Sequence, residues 1–268
     1  MEKTIGFIGG GNMASAIIGG ILNAGLVEKR QLIATARTEQ TCASLTQRFG
    51  IKTTLDNREA AAKSDILFLA VKPFLFPEII SEIKEHVRKD TLLVSIAAGQ
   101  MISHIEAMFD SRLKLVRAMP NTPALVGEAM SALCCNELVT EEELAEAVSI
   151  FNSFGKCEVI KEALMDAVIG VSGSSPAYVY LFIEAMADAA VADGMPRAQA
   201  YKFAAQSVLG SAKMVLETGT HPGALKDAVC SPGGTTIEAV AVLEEEGLRN
   251  AVIKAQRACV QKSRDMGK

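Results

Sequence analysis

The amino-acid sequence predicts an α/β protein in which a doubly wound sheet is followed by an all-helical domain. From residue 4 to residue 160, short apolar runs alternate with helical patterns, which is typical of a mostly parallel sheet covered by helices. A glycine-rich turn joins the first strand pattern to the first helix pattern. Beyond Lys161 we find no strand pattern, only helical runs separated by turns. We therefore predict two domains, 1–162 and 163–268.

The strand pattern recurs in short segments bounded by glycine, proline or polar residues. In chain order these segments are 4–8, 31–36, 53–54, 66–71, 92–98, 113–119, 130–135 and 157–160. Among the intervening helices, Asn57 is predicted to cap a short one. Thr140 with Glu143 forms the capping-box pattern at the start of another. In the second domain, the run from Pro176 to Asp193 is apolar on most faces, which indicates a helix buried in a core or against a partner chain.

The composition excludes several classes of function. A net charge of −4 without a basic block argues against nucleic-acid binding. The apolar fraction of 49% supports a sizeable core, but no uninterrupted apolar run reaches membrane-spanning length. Six cysteines without a C-x-x-C pair indicate reduced thiols in a cytoplasmic protein. The three histidines show no metal-ligand spacing, and the start shows no secretion signal.

The first turn carries the pattern G-x-G-x-x-G/A between a strand and a helix. Gly9 permits the tight turn, Gly11 lets a pyrophosphate approach the backbone, and Ala14 lets the helix lie close to the strand. The free N–H groups at the helix start would hold the phosphates. This pattern predicts a Rossmann-type dinucleotide-binding domain, and the alternative is a plain tight turn between strand and helix.

The end of the second strand indicates which dinucleotide binds. An NAD-preferring fold places Asp or Glu there, but this chain has Thr35, Arg37 and Thr38 instead. A guanidinium can pair with a 2′-phosphate through two hydrogen bonds. We therefore predict NADP(H), with NADH as a second substrate, and the alternative for Arg37 is a solvated surface charge.

Segments that follow the buried strands are expected to flank the nicotinamide, because ligands of open α/β sheets lie at the carboxyl ends of strands. These segments are 70–73, 97–99 and 119–121. Lys72 has two open interpretations. It is either a catalytic lysine near the nicotinamide or a strand-end residue whose charged head reaches solvent.

A second glycine-rich turn, 231–236, precedes a helix predicted at 237–246. Free N–H groups at such a helix start bind carboxylate or phosphate, and the Thr236 hydroxyl could then reach the reacting group. The alternative is an ordinary helix start capped by Thr235 or Thr236.

Five segments in this order resemble pyrroline-5-carboxylate reductases over nearly the whole chain: 7–13, 70–73, 119–123, 170–178 and 231–236. The resemblance implies that NADPH transfers a hydride to the C=N carbon of 1-pyrroline-5-carboxylate, giving L-proline in the last step of proline synthesis. It also implies that the helical domain interlocks with a second chain as a homodimer, and that dimers assemble further into decamers. Two positions depart from the family pattern, since Ser175 replaces a glycine and Ala228 replaces an asparagine found in some relatives.

The resemblance also assigns site residues. For the cofactor they are Phe7, Ile8, Gly9, Gly10, Gly11, Asn12, Thr35, Asn57, Ala70, Val71, Lys72, Pro73, Ile96, Ala97 and Ala98, to which the turn and strand patterns add Met13 and Arg37. For the substrate they are Glu162, Thr235 and Thr236, to which the turn pattern adds Ser231, Gly233 and Gly234. Thr236 would hydrogen-bond the ring nitrogen and Lys72 would shape the charge near the nicotinamide.

Two other functions fit the sequence less well. A β-hydroxyacid dehydrogenase would need a lysine and an asparagine where this chain has Val179 and Ile183. An NADP-binding sensor without turnover would have no need of the turn at 231–236. No catalytic histidine stands out, and a protonated imine needs none, because it is electrophilic and carries its own proton.

Overall fold

The computed structural model, in which residues 1–266 are described, contains an eight-stranded sheet with helices on both faces. The strand order is β3-β2-β1-β4-β5-β6-β7-β8, and its first six members have the order of a dinucleotide-binding sheet. The strands are β1 (Ile5–Ile8), β2 (Leu32–Thr35), β3 (Lys52–Thr54), β4 (Ile66–Leu69), β5 (Leu92–Ser95), β6 (Leu115–Met119), β7 (Ala129–Cys135) and β8 (Gly155–Val159). The predicted fold class, a doubly wound sheet followed by helices, is confirmed.

Helices follow most strands and continue to the end of the described chain. They are α1 (Asn12–Asn23), α2 (Glu39–Phe49), α3 (Asn57–Lys63), α4 (Phe76–Ile83), α5 (Ile102–Phe109), α6 (Glu141–Asn152), α7 (Met165–Val168), α8 (Ser175–Ala192), α9 (Arg197–Thr218), α10 (Pro222–Val229), α11 (Thr235–Glu245) and α12 (Leu248–Met266). A π-helical turn, Ile169–Gly173, separates α7 from α8.

Apolar side chains cover both faces of the sheet, as the sequence of the central strands predicts. All four residues of β4 are buried, and they contribute alternately to the two core clusters on opposite faces. Phe7 and Phe68 stack across β1 and β4 with their ring centroids 4.7 Å apart. The parallel pairing of β1 with β4 places their carboxyl ends next to each other, where the strand order reverses and where such folds bind ligands.

Two sequence predictions about the first domain need correction. The alternation of strands and helices fails between β6 and β7, which pair antiparallel. Residues 120–128 are too few for the crossover that a parallel pair requires, and they hold only a 3₁₀ turn. Asn57 does not cap α3, because Asp56 occupies the cap and accepts the N–H of Arg58. The capping box of Thr140 and Glu143 is confirmed at α6.

The chain divides into two compact units, one containing residues 1–174 with the chain from Cys259 onward and the other Ser175–Ala258. The predicted boundary at 162/163 lies before the division that follows Ser174. Met165, between the two positions, is buried in the core of the first unit. The end of α12 also belongs to that unit, where the Ser263 hydroxyl donates to Asp166 at 2.7 Å.

The second unit buries little of its apolar surface within one chain. In α8 only Ala187 is buried among the residues described, while Leu181, Phe203 and Leu216 each expose two thirds or more of their surface. Within the described part of the chain, no helix is long and apolar enough to cross a membrane.

Candidate active site

The glycine-rich loop after β1 has the geometry of a phosphate cradle. Gly9 has a φ of +103°, and a Cβ there would lie 2.8 Å from the Ala70 carbonyl oxygen. Gly11 is the N-cap of α1 with φ −77°, and among the described residues nothing lies within 4 Å of a Cβ built on it. The space beside Gly11 at the start of α1 is therefore open, and the positive end of a helix at such a place fits the pyrophosphate of a dinucleotide.

The remaining residues of this segment have structural explanations. A Cβ on Gly10 would overlap the Leu45 side chain of α2. Phe7 and Ile8 are fully buried, so only their backbone could contact a cofactor. Ala14 is buried against the sheet, as predicted from its place in the motif. Asn12 is exposed and Met13 half-buried at the start of α1.

Thr35 lies beneath this loop rather than at the surface. Its side chain is 1% exposed. The hydroxyl accepts the Gly9 N–H at 3.1 Å and donates to Asn57 Oδ1 at 2.7 Å. The Asn57 amide then donates to Glu82 of α4 at 2.8 Å. Both predicted cofactor residues, Thr35 and Asn57, thus form a hydrogen-bond chain that supports the loop from below.

Arg37 follows β2 on an exposed turn. Thr38, the next residue, caps α2, because its side chain accepts the Thr41 N–H. The Thr38 hydroxyl is therefore already engaged, whereas the Arg37 guanidinium is exposed. Within residues 1–266 Arg37 forms no ion pair, whereas Arg30, at the other end of β2, pairs with Glu28. The geometry leaves the Arg37 side chain available for an anionic ligand.

The loops after β4, β5 and β6 lie side by side because these strands are neighbours in the sheet. Lys72 is exposed, just before the 3₁₀ turn Pro73–Leu75, and Ala70, Val71 and Pro73 are half-buried. Ala97 is buried, and Ile96 and Ala98 are half-buried. The structure thus brings the predicted nicotinamide segments to one edge.

Asn121 braces this edge. Its amide donates to the Ser172 carbonyl at 3.0 Å, and its Oδ1 accepts the Met130 N–H at 3.0 Å. The bond to Ser172 attaches the loop after β6 to the π-helical turn. π-Helical turns are rare and are found frequently at functional sites.

Glu162, predicted as a substrate ligand, makes two hydrogen bonds inside the first unit. Its Oε1 accepts from Arg117 at 2.9 Å and from the Ile102 N–H, at the start of α5, also at 2.9 Å. Sequence reasoning missed Arg117, although a lone arginine in the apolar run of β6 is a visible anomaly. Burial, with Glu162 nearby, raises the pKa of the Cys134 thiol beside this pair to about 12, so the thiol stays neutral.

The second glycine-rich turn lies in the second unit. Gly233 has a φ of +68° and the Gly234 N–H donates to the Ser231 carbonyl. Gly234 is the N-cap of α11, and no side-chain cap is present in the described chain. The alternative of a threonine cap is therefore wrong, since Thr235 and Thr236 are the first residues of the helix, which starts two residues earlier than predicted.

This arrangement offers open backbone N–H groups and two threonine hydroxyls at one helix start. Thr235 is exposed and Thr236 half-buried. Backbone donors of this kind bind a carboxylate, and a hydroxyl can both donate and accept a hydrogen bond. Ser231 and Gly233 are exposed in the same turn. The turn can thus hold a small carboxylate-bearing ligand.

Comparisons with known proteins cover the whole chain. Residues 162–266 match a family model described as pyrroline-5-carboxylate reductase dimerisation, and residues 4–99 match one described as NADP oxidoreductase coenzyme F420-dependent. The pyrroline-5-carboxylate reductase of Escherichia coli (strain K12) is 55% identical over 268 residues, covering 100% of both chains.

Solved structures agree with these matches. A pyrroline-5-carboxylate reductase from Coxiella burnetii is similar with a TM-score of 0.93 and 35% identity, covering 100% of both chains. The pyrroline carboxylate reductase of Plasmodium falciparum, solved with NADP bound, is similar with a TM-score of 0.89 and 36% identity, covering 100% of this chain and 99% of that one.

Proposed function

The chain belongs to the pyrroline-5-carboxylate reductase family, and from this premise we propose how its residues carry out that family's reaction. The reaction is the NADP-dependent reduction of 1-pyrroline-5-carboxylate to L-proline, the last step of proline biosynthesis. When bound, the reduced cofactor supplies the hydride that reaches the C=N carbon. The chain has to bind both molecules and align them, which can be the larger share of catalysis.

For the cofactor, we assign the pyrophosphate to the open start of α1 and the 2′-phosphate to Arg37. The support is the space beside Gly11 and the exposed guanidinium on the turn after β2, which forms no ion pair with any residue that the structure describes. The loops 70–73 and 96–98 then flank the nicotinamide through their backbone. Lys72, exposed at this edge, adds positive charge near the nicotinamide without a proton-transfer role.

For the substrate, the observation that carries the proposal is the start of α11, where Gly234 is the N-cap and no side chain of the described residues caps the helix. Its backbone N–H groups hold the carboxylate and the Thr236 hydroxyl accepts the N–H of the protonated ring nitrogen. The iminium form of the substrate is already electrophilic, so no general acid is required. Glu162 stays a proposed contact on the substrate side, with Oε1 held by Arg117.

We propose a homodimer with interlocked helical domains, which assembles further into a decamer in the cytoplasm. The support is the family model for dimerisation over residues 162–266 and the large apolar side chains that one chain leaves exposed. Such an area is typical of an obligate interface. The mass of the assembly in solution, measured by light scattering, tests both the dimer and the decamer.

The deciding experiment is an assay of NADPH oxidation. We expect turnover with 1-pyrroline-5-carboxylate and none with succinic semialdehyde, a substrate of the dehydrogenase class. L-Proline should be the product, identified by chromatography. Binding of NADPH without turnover of any imine would support the sensor alternative and overturn the proposal.

A further inference from the structure

We propose that Arg117 is a positioning residue for hydride transfer, which acts through Glu162 on the loop between β5 and α5. This inference rests on the proposed function, because it takes residues 96–98 of that loop to flank the nicotinamide. Arg117 itself touches neither ligand in this proposal. Its effect is to fix the place where the loop ends and α5 begins.

The first observation is the burial of a charge. Arg117 is 5% exposed, in the middle of β6, with apolar neighbours on both sides along the strand. A buried guanidinium is costly to desolvate and is retained where a carboxylate pairs with it. Glu162 provides that carboxylate at 2.9 Å from Nη1.

The second observation is that the same carboxylate oxygen holds a backbone group. Glu162 Oε1 also accepts the N–H of Ile102, the first residue of α5. Met101, the formal N-cap, contributes no side-chain cap within the described residues. A carboxylate at a helix start satisfies a free N–H and interacts favourably with the helix dipole. Glu162 therefore caps α5 from a distant part of the chain.

Together these bonds fix both ends of the loop 96–101. At its beginning, the Ile96 N–H donates to the Leu69 carbonyl of β4. At its end, the Ile102 N–H donates to a carboxylate whose position is set by a strand residue, Arg117. Without the guanidinium, Glu162 would turn toward solvent, because its side chain is already one third exposed. The loop would then lose its second anchor while the phosphate cradle at α1 stays intact.

The experiment separates the two halves of the cofactor. Adenosine 2′,5′-bisphosphate carries the phosphate and adenosine groups but lacks the nicotinamide. In the Arg117→Met variant, we expect the Kd for adenosine 2′,5′-bisphosphate, measured by calorimetry, to stay within about twofold of the wild-type value. The Kd for NADPH should rise several-fold, and kcat should fall about tenfold or more, which corresponds to about 1.4 kcal/mol in the barrier.

Further variants keep the test independent of one substitution. Arg117→Lys keeps a cation at the site and should recover part of the lost kcat. Glu162→Gln keeps an acceptor for the Ile102 N–H but loses the charge pair with Arg117. Because both substitutions remove the same pair, the loss of kcat in the double variant Arg117→Met/Glu162→Gln should be smaller than the product of the two single losses. The matched control is Lys114→Met, which removes a half-buried pair with Glu143 at the start of the same strand and should leave both affinities and kcat near wild type.

Two results would overturn the inference. One is equal loss of affinity for NADPH and for adenosine 2′,5′-bisphosphate in the Arg117 variants, which would indicate general damage to the unit. The other is unchanged kcat and NADPH affinity in all of them. Failure of this inference is distinguishable from failure of the proposed function. In the latter case the wild type would show no imine turnover, but the affinities for NADPH and for adenosine 2′,5′-bisphosphate would still show whether Arg117 positions the loop.

Discussion

The hydroxyl of Thr35, at the end of β2, accepts the backbone N–H of Gly9 at 3.1 Å. The bond attaches the glycine-rich loop to the neighbouring strand. The Thr35 hydroxyl in turn donates a hydrogen bond to Asn57 Oδ1. Two residues later Arg37 is exposed. The end of β2 therefore combines two tasks: Thr35 holds the loop in place, and Arg37 is proposed to select among ligands.

Replacement of Thr35 by valine tests the first task. The side chains have nearly the same shape, but valine leaves the Gly9 N–H without its acceptor, which costs about 1–3 kcal/mol. We expect a lower Tm and weaker binding of NADPH and NADH by similar factors, with the preference between them unchanged. Thr35→Ser keeps the hydroxyl and is the matched control. A shifted preference in Thr35→Val would show that Thr35 reads the 2′-phosphate directly.

Replacement of Arg37 by aspartate tests the second task. The carboxylate repels a 2′-phosphate and can accept a ribose 2′-OH. We expect the KM for NADPH to rise about tenfold or more, because a hydrogen-bonded charge pair is lost. The KM for NADH should change little or fall. Arg30→Asp, at the opposite end of β2, should keep the wild-type ratio. An unchanged ratio in Arg37→Asp would exclude Arg37 as the 2′-phosphate ligand.

Replacement of Thr236 by alanine tests the substrate turn. Because Gly234 rather than Thr236 caps α11, the variant should fold with wild-type stability. We expect kcat/KM for the imine to fall about tenfold or more, the effect of one lost hydrogen bond to a charged group. Its NADPH affinity should be unchanged. Ser211→Ala, in α9 of the same unit, is the control, and full activity in Thr236→Ala would remove this residue from the site.

Complementation tests whether two chains share one site. Gly11→Asp places a carboxylate where the phosphates are proposed to bind, and the φ of −77° at Gly11 suits an ordinary residue. Mixed with Thr236→Ala under conditions of subunit exchange, it gives heterodimers. If each site combines the first unit of one chain with the second unit of the other, one site in each heterodimer carries neither change. Activity should then recover, whereas proven heterodimers without recovery would place each site within one chain.

The sequence was sufficient for the type and order of nearly every element. Each predicted strand is present, because apolar runs between turn residues are a local property of the chain. The direction of β7 was missed, since it depends on the length and path of residues 120–128 rather than on the strand's own residues. The start of α11 was placed two residues late, because the threonine pattern favours a cap and the glycine that takes that position has no side chain.

The site was predicted less completely than the fold. The motif identifies Gly9 by the positive φ of a tight turn, Gly11 by the open space beside it and Ala14 by its close packing, and the structure shows all three features. Hydrogen bonds between distant residues leave no pattern in the chain. The link from Arg117 through Glu162 to Ile102 joins three separate segments, so the sequence showed only an arginine out of place in an apolar strand.

The antiparallel pairing of β6 with β7 also bears on how the sheet forms. Met119 and Ala132, at the turn end of this pair, are joined by a shorter stretch of chain than the partners of any other strand pair described. The loop-closure entropy of bringing two segments together grows with the length of chain between them, and sheets dominated by distant pairings fold slowly. Pairing of β6 with β7 therefore has the lowest loop-closure entropy cost among the strand pairs described. We expect the sheet to begin there, and β5 and β8 can then add to the two open edges of this hairpin.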